Sequence, residues 1–207
     1  MISSQAKDSI ERIFYKAAQA RLPMTPGDVC DIVAIKPSGA GRKDRPEDQT
    51  EGLTDGRAGE DGASRTRRPQ AQTGQVVVLT ISGILFRLML LLHFNEDDST
   101  RDYLVKDDAQ STFEEIIAEI SNLCCGAMNQ ELLRYFPDLG MSTPYMLSAQ
   151  CVPHLEDLKP SYLSSYAIQL GDSVHVVATL CVCADGPIDF VADVNAVEES
   201  SGELELF

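Results

Sequence analysis

The sequence predicts an α+β fold, an antiparallel β-sheet packed with two long helices, on three observations. Two segments place apolar side chains at helical spacing, several runs of strand length are rich in β-branched residues, and helices do not alternate regularly with strands, which disfavours a doubly wound sheet. The chain has 207 residues, 43% apolar and 24% charged, enough to bury a proper core. That balance excludes a stapled mini-protein, a collagen-like fibre and a wholly disordered chain.

Residues 4–22 carry Ile10, Ile13, Phe14, Ala17 and Ala18 on one face of an amphipathic helix, which Pro23 and Pro26 close. Gly27 to Lys36 (GDVCDIVAIK) has the β-branched centre of a first strand. From Pro37 to Gly74 the composition shifts to seven glycines, three prolines and a single leucine, with seven basic and seven acidic residues. Such a segment buries too little apolar area to offset its ordering entropy, so 37–74 reads as a flexible low-complexity insert. Its one charge cluster, Arg65 to Pro69, is either a solvated linker or a docking element.

Val76 to Phe94 (VVVLTISGILFRLMLLLHF) approaches spanning length, but Arg87 and the Ser82-Gly83 turn signal favour two buried strands joined at 82–84 over a membrane segment. After an acidic stretch, residues from about Ser111 to Tyr135 read as a long helix. Phe113, Ile116, Ile117, Ile120, Leu123, Cys124, Ala127 and Met128 fall on one side at steps of ~100°, and Pro137 ends the pattern. Tyr162 to Leu170 and Ser173 to Cys183 then read as strands joined by Gly171-Asp172, and residues 196–207 as an acidic tail.

The charge is uneven: 12 basic against 11 acidic residues in 1–74, but 5 against 21 in 75–207. The second part would be soluble and attract basic patches, and binding to nucleic acid through phosphates is not expected. The opening residues lack the basic-then-apolar pattern of a secretory signal, so Cys30, Cys124, Cys125, Cys151, Cys181 and Cys183 are expected to be free thiols of a cytoplasmic protein. Their spacing, with no histidine nearby, does not suit zinc.

The common catalytic signatures are absent: no G-x-S-x-G elbow, P-loop, G-x-G-x-x-G or H-E-x-x-H. His93, His154 and His175 stand isolated. The informative feature is the polar side of the long helix, where Glu115, Glu119, Asn122, Gly126 and Asn129 cluster, with Glu119 and Asn122 one turn apart. A carboxylate and a carboxamide on one ridge, followed by a glycine, suit either a solvated face or a surface site. Gly126 admits either close helix packing or a partner's backbone.

The run E-I-S-N-L-C-C-G from Glu119 to Gly126, then A-M-N-Q-E-L-L, then L-G-M-S-T-P from Leu139 to Pro144, resembles the CheC/CheX/FliY family of bacterial chemotaxis phosphatases, nearest to its CheX-like members. The resemblance covers about Val76 to Val194 and, more weakly, the N-terminal helix and strand. It implies 1–36 as the opening helix and strand of the domain and 75–195 as a CheX-like phosphatase domain. It implies hydrolysis of the aspartyl phosphate of a CheY-like response regulator, with Asn122 holding the attacking water and Glu119 pairing with the regulator's lysine. Glu115, Gly126 and Asn129 become partner-contact candidates. No cofactor of the chain's own is implied, Mg2+ sitting on the partner's receiver domain, and a homodimer is a further expectation. A module of the same fold that binds a regulator or flagellar switch without hydrolysis is the alternative. Ser142, Thr143 and Pro144 are read first as a turn fixing the next strand and second as a binding loop.

Overall fold

The computed structural model describes residues 1–25, 27–35, 74–105 and 111–193. The insert, except for Gly74, and the acidic tail lie outside the described residues. The elements run α1 (Ser4–Arg21), β1 (Cys30–Ile35), β2 (Gln75–Ser82), β3 (Phe86–Phe94), α2 (Asp98–Leu104), α3 (Phe113–Leu133), β4 (Gly140–Met141), β5 (Tyr145–Ser148), a 3-10 helix (Ala149–Leu158), β6 (Tyr162–Leu170) and β7 (Val174–Ala184).

The fold is α+β, as the sequence predicts: one seven-stranded sheet, ordered β1-β6-β7-β3-β2-β4 with β5 also on β2, every named pairing antiparallel. The strands that flank the insert in sequence, β1 and β2, are separated in the sheet by β6, β7 and β3. The 76–94 run is the β2–β3 hairpin, closed by a hydrogen bond from Gly83 N to Phe86 O at 3.0 Å. Among the described residues no helix is long and apolar enough to cross a membrane. The β6–β7 hairpin turns at Gly171, whose φ of +56° is a left-handed conformation that glycine adopts without steric cost.

Alternation decides which side chains meet which layer. On the inner face Val77, Leu79, Leu88, Leu90, Val176 and Leu180 join the buried stripes of α1 and α3 in the main core. On the outer face Val76, Val78, Leu91 and Cys181 form a smaller cluster with Ala149 and Leu155 of the 3-10 helix. The buried residues of α1 include Ile10, Ile13, Phe14, Ala17 and Ala18, the face predicted from spacing. Residues after β7 return to the start of the chain, where Ser3 N donates to Ile188 O and Ile188 N to Met1 O, both at 3.0 Å.

Among the described residues four helical segments are present rather than two. The helix α2 has seven residues and buries only Thr100 and Leu104, too short for a periodic signal; its start is fixed by Asp97, which accepts from Thr100 N at 2.8 Å. The 3-10 helix contains Pro153 and so reads in sequence as a loop. The strands β4 and β5 are short and pair only along β2. All six cysteines are free.

Candidate functional site

The long helix α3 begins in a capping box. Thr112 Oγ1 accepts from Glu115 N at 3.2 Å while Glu115 Oε2 accepts from Thr112 N at 2.8 Å, so each satisfies an amide that the first turn leaves without a helical partner. Phe113, Ile117, Ile120, Cys124, Met128 and Leu132 form the buried stripe. Ser121, buried among them, donates back to Ile117 O at 2.5 Å. Burial drives the Cys124 thiol well above its ordinary value and pushes Cys125 up to about 12, so neither is a thiolate nucleophile at neutral pH.

The helix packs antiparallel to α1. Lys16 of α1 meets Glu131 near the end of α3, whereas Ala20 and Arg21 lie beside its first turns. Between the end of α1 and the start of α3 is a groove of about 710 Å3, lined among others by Arg21, Met24, Glu115, Ile116, Glu119 and Leu123.

The five ridge residues predicted from sequence come out differently from one another. Glu119 is exposed and Asn122 half-buried, one turn apart, and among the described residues neither side chain has a hydrogen-bond or ion-pair partner. Glu115 lines the same groove, but its carboxylate closes the capping box. Among the described residues a Cβ built on Gly126 would meet nothing within 4 Å, so close packing against them does not account for this glycine. Asn129 is half-buried, and its Oδ1 is sealed from solvent with no hydrogen-bond partner among the described residues.

Leu123 departs from the sequence reading. Its position in the helical arc predicts burial, yet it is 45% exposed, because the apolar arc of α3 is wider than the surface packed against it. Sequence reasoning missed Ala20, Arg21 and Met24 as neighbours of the ridge; no local signal ties the end of α1 to the start of α3, although Pro23 does mark where α1 stops.

The Leu139–Pro144 segment serves the sheet. Ser142 Oγ accepts from Thr80 N and Ser142 N donates to Thr80 O, at 3.0 and 2.9 Å, extending the edge of β2 beyond β4. Asp138 Oδ2 accepts from Ile84 N at 2.7 Å and ties the residues after α3 to the β2–β3 turn. Among the described residues no group of three or more His, Cys, Asp or Glu side chains is arranged to hold a metal ion.

No protein-family model matches this chain, and no curated protein does. Solved structures do resemble it. A chemotaxis protein CheX from Vibrio vulnificus matches with 12% identity and a TM-score of 0.48, covering 84% of this chain and 98% of that one. A putative chemotaxis protein from Desulfovibrio vulgaris Hildenborough matches with 10% identity and a TM-score of 0.48, over 84% and 96% of the two chains. A chain of the CheX-CheY-BeF3-Mg2+ complex from Borrelia burgdorferi matches with 9% identity and a TM-score of 0.46, over 86% and 97%. Two of these three similar structures carry the name CheX.

Proposed function

We propose that this chain is a CheX-like phosphatase that hydrolyses the aspartyl phosphate of a CheY-like response regulator. The observation that carries the reading is the uncommitted pair on α3: a free carboxylate at Glu119 and a free carboxamide at Asn122, one turn apart on an accessible ridge. Side chains that stabilise the fold are engaged, as Glu115 and Glu131 are; these two are not.

In this reading Glu119 pairs with the regulator's active-site lysine and sets the approach. The Asn122 carboxamide holds a water in line with phosphorus, accepting from the water through its oxygen or donating to it through its NH2. The water oxygen bonds to phosphorus as the bond to the aspartyl oxygen breaks, leaving a free carboxylate and inorganic phosphate. Mg2+ bound to the regulator would balance phosphoryl charge. Catalysis by position alone is adequate for phosphoryl transfer, where fixing the nucleophile supplies much of the rate and no covalent intermediate on this chain is needed.

The test is the decay of a phosphorylated receiver domain from the same cell, with this protein and with Asn122→Ala. The parent is expected to accelerate decay, and the variant to lose ~10²-fold or more of that acceleration while its unfolding midpoint stays put, since the side chain has no internal partner. Equal rates for parent and variant would remove Asn122 from the mechanism. Tight binding without any acceleration would assign the chain to the non-catalytic binding module instead.

A further inference from the structure

The groove beside Glu119 combines two features that a merely solvated helix face does not explain. Its walls include apolar side chains left in water, Leu123 at 45% and Met24 at 39% exposed, together with half-buried Ile116. Besides Glu115, whose carboxylate closes the capping box, it holds an anion and a cation, Glu119 and Arg21, and among the described residues neither of these two enters an ion pair. Leu123 lies one turn beyond Glu119 and follows Asn122 directly, so a molecule that seats a cation on Glu119 and its reacting group at Asn122 has Leu123 at its flank, on the groove side of the ridge.

We infer that this groove is the specificity-determining part of the regulator-docking surface, taking an apolar side chain of the receiver domain between Leu123 and Met24. The occupant's chemistry follows from the groove: an apolar side chain flanked by the lysine that meets Glu119 on one side and by a carboxylate that meets Arg21 on the other. The inference rests on the proposed regulator phosphatase reading and adds to it which residues select the partner. It gives Leu123 and Arg21 a role in recognition and none in chemistry.

The probe is a receiver domain from the same cell, activated with beryllium fluoride and Mg2+ and titrated calorimetrically into the full chain. Leu123→Asp is expected to weaken binding by about tenfold or more, the scale of desolvating a half-exposed leucine, and Arg21→Glu to weaken it with a reduced dependence on salt. Thermal unfolding reports that both variants remain folded, as expected for exposed positions. In turnover assays Leu123→Asp raises KM and leaves kcat at saturation, whereas Asn122→Ala lowers kcat. Binding and KM unchanged in Leu123→Asp, with a parent that does dephosphorylate the regulator, would overturn the groove assignment and leave the phosphatase reading standing. A parent that neither binds nor dephosphorylates any receiver domain of the cell would remove both.

Discussion

Lys16 Nζ and Glu131 Oε1 stand 2.5 Å apart across the seam between α1 and α3, and Arg134 Nη1 reaches the other carboxylate oxygen of Glu131 at 3.2 Å. The Glu131 side chain is only 11% exposed, while Lys16 and Arg134 remain 40% and 37% exposed. The pair ties the later turns of α1 to the last turn of α3, beside the apolar stripes that the two helices bury in the main core. Glu131→Ala frees two cations that water already reaches, so the expected loss is modest, about 1 kcal/mol in urea unfolding. Because Glu119 and Asn122 lie more than two helical turns from Glu131 along α3, kcat on a phosphorylated regulator is expected to survive.

Gly126 separates stability from recognition. A helix-interior glycine costs roughly 0.5–1 kcal/mol relative to alanine, and here an added Cβ meets nothing within 4 Å among the described residues. Gly126→Ala is therefore expected to raise the unfolding free energy by that amount. If the bare backbone accommodates the regulator, Gly126→Phe weakens binding of the activated receiver domain while the fold is kept. A phenylalanine variant that binds as well as the parent would take Gly126 out of the contact surface.

Gly83 is the opposite case. A Cβ there would lie 2.7 Å from Asp138 Oδ2 and 2.8 Å from Leu139 Cδ2. Asp138 cannot simply swing away, because the same oxygen accepts from Ile84 N at 2.7 Å. Gly83→Ala is expected to destabilise by ~1–3 kcal/mol, the usual cost of overpacking, read as a lowered denaturant midpoint. An unchanged midpoint would mean that the Asp138 contact contributes nothing to holding the hairpin.

Much of this was legible in sequence where one strong local signal coincides with burial. Ile10, Ile13 and Phe14 announce α1 by spacing, and Ser82-Gly83 announces the β2–β3 turn inside a run that otherwise resembles a membrane segment. The short pieces were not legible: α2 has a single turn's worth of buried residues, and β4 exists only because β2 offers an edge. Glu119 and Asn122 could be placed on one ridge from helical geometry alone. That Glu115 is spent on a cap follows from Thr112 three residues earlier, a signature present in the sequence but overlooked. The exposure of Leu123 could not be read, since it depends on where a distant helix ends.

The protein is expected to lose stability as pH rises above about 9, because burial raises several thiols and a phenol. Burial pushes the thiols of Cys125 and Cys181 from the ordinary 9.0 up to about 12, the latter helped by Cys183, and that of Cys30 to about 11, helped by Asp31. Tyr162 is raised from 10.0 to about 12, first by burial and then by its hydrogen bond to Glu11. In the unfolded chain these groups ionise near their ordinary values; in the folded chain they hold their protons. Between about 9 and 12 the unfolded state therefore binds fewer protons, and the stability that is complete below about pH 9 falls as pH increases, by up to about 1.4 kcal/mol per pH unit for each group titrating. Urea unfolding at pH 8 and pH 10 checks this, with a lower midpoint expected at pH 10 and a smaller drop in Cys181→Ala or Cys125→Ala. Iodoacetamide labelling at pH 8 is the companion measurement: Cys125 and Cys181 should stay unmodified in the native protein and react on unfolding. A flat stability profile with both thiols labelled in the native state would mean that water reaches the two clusters on either side of the sheet.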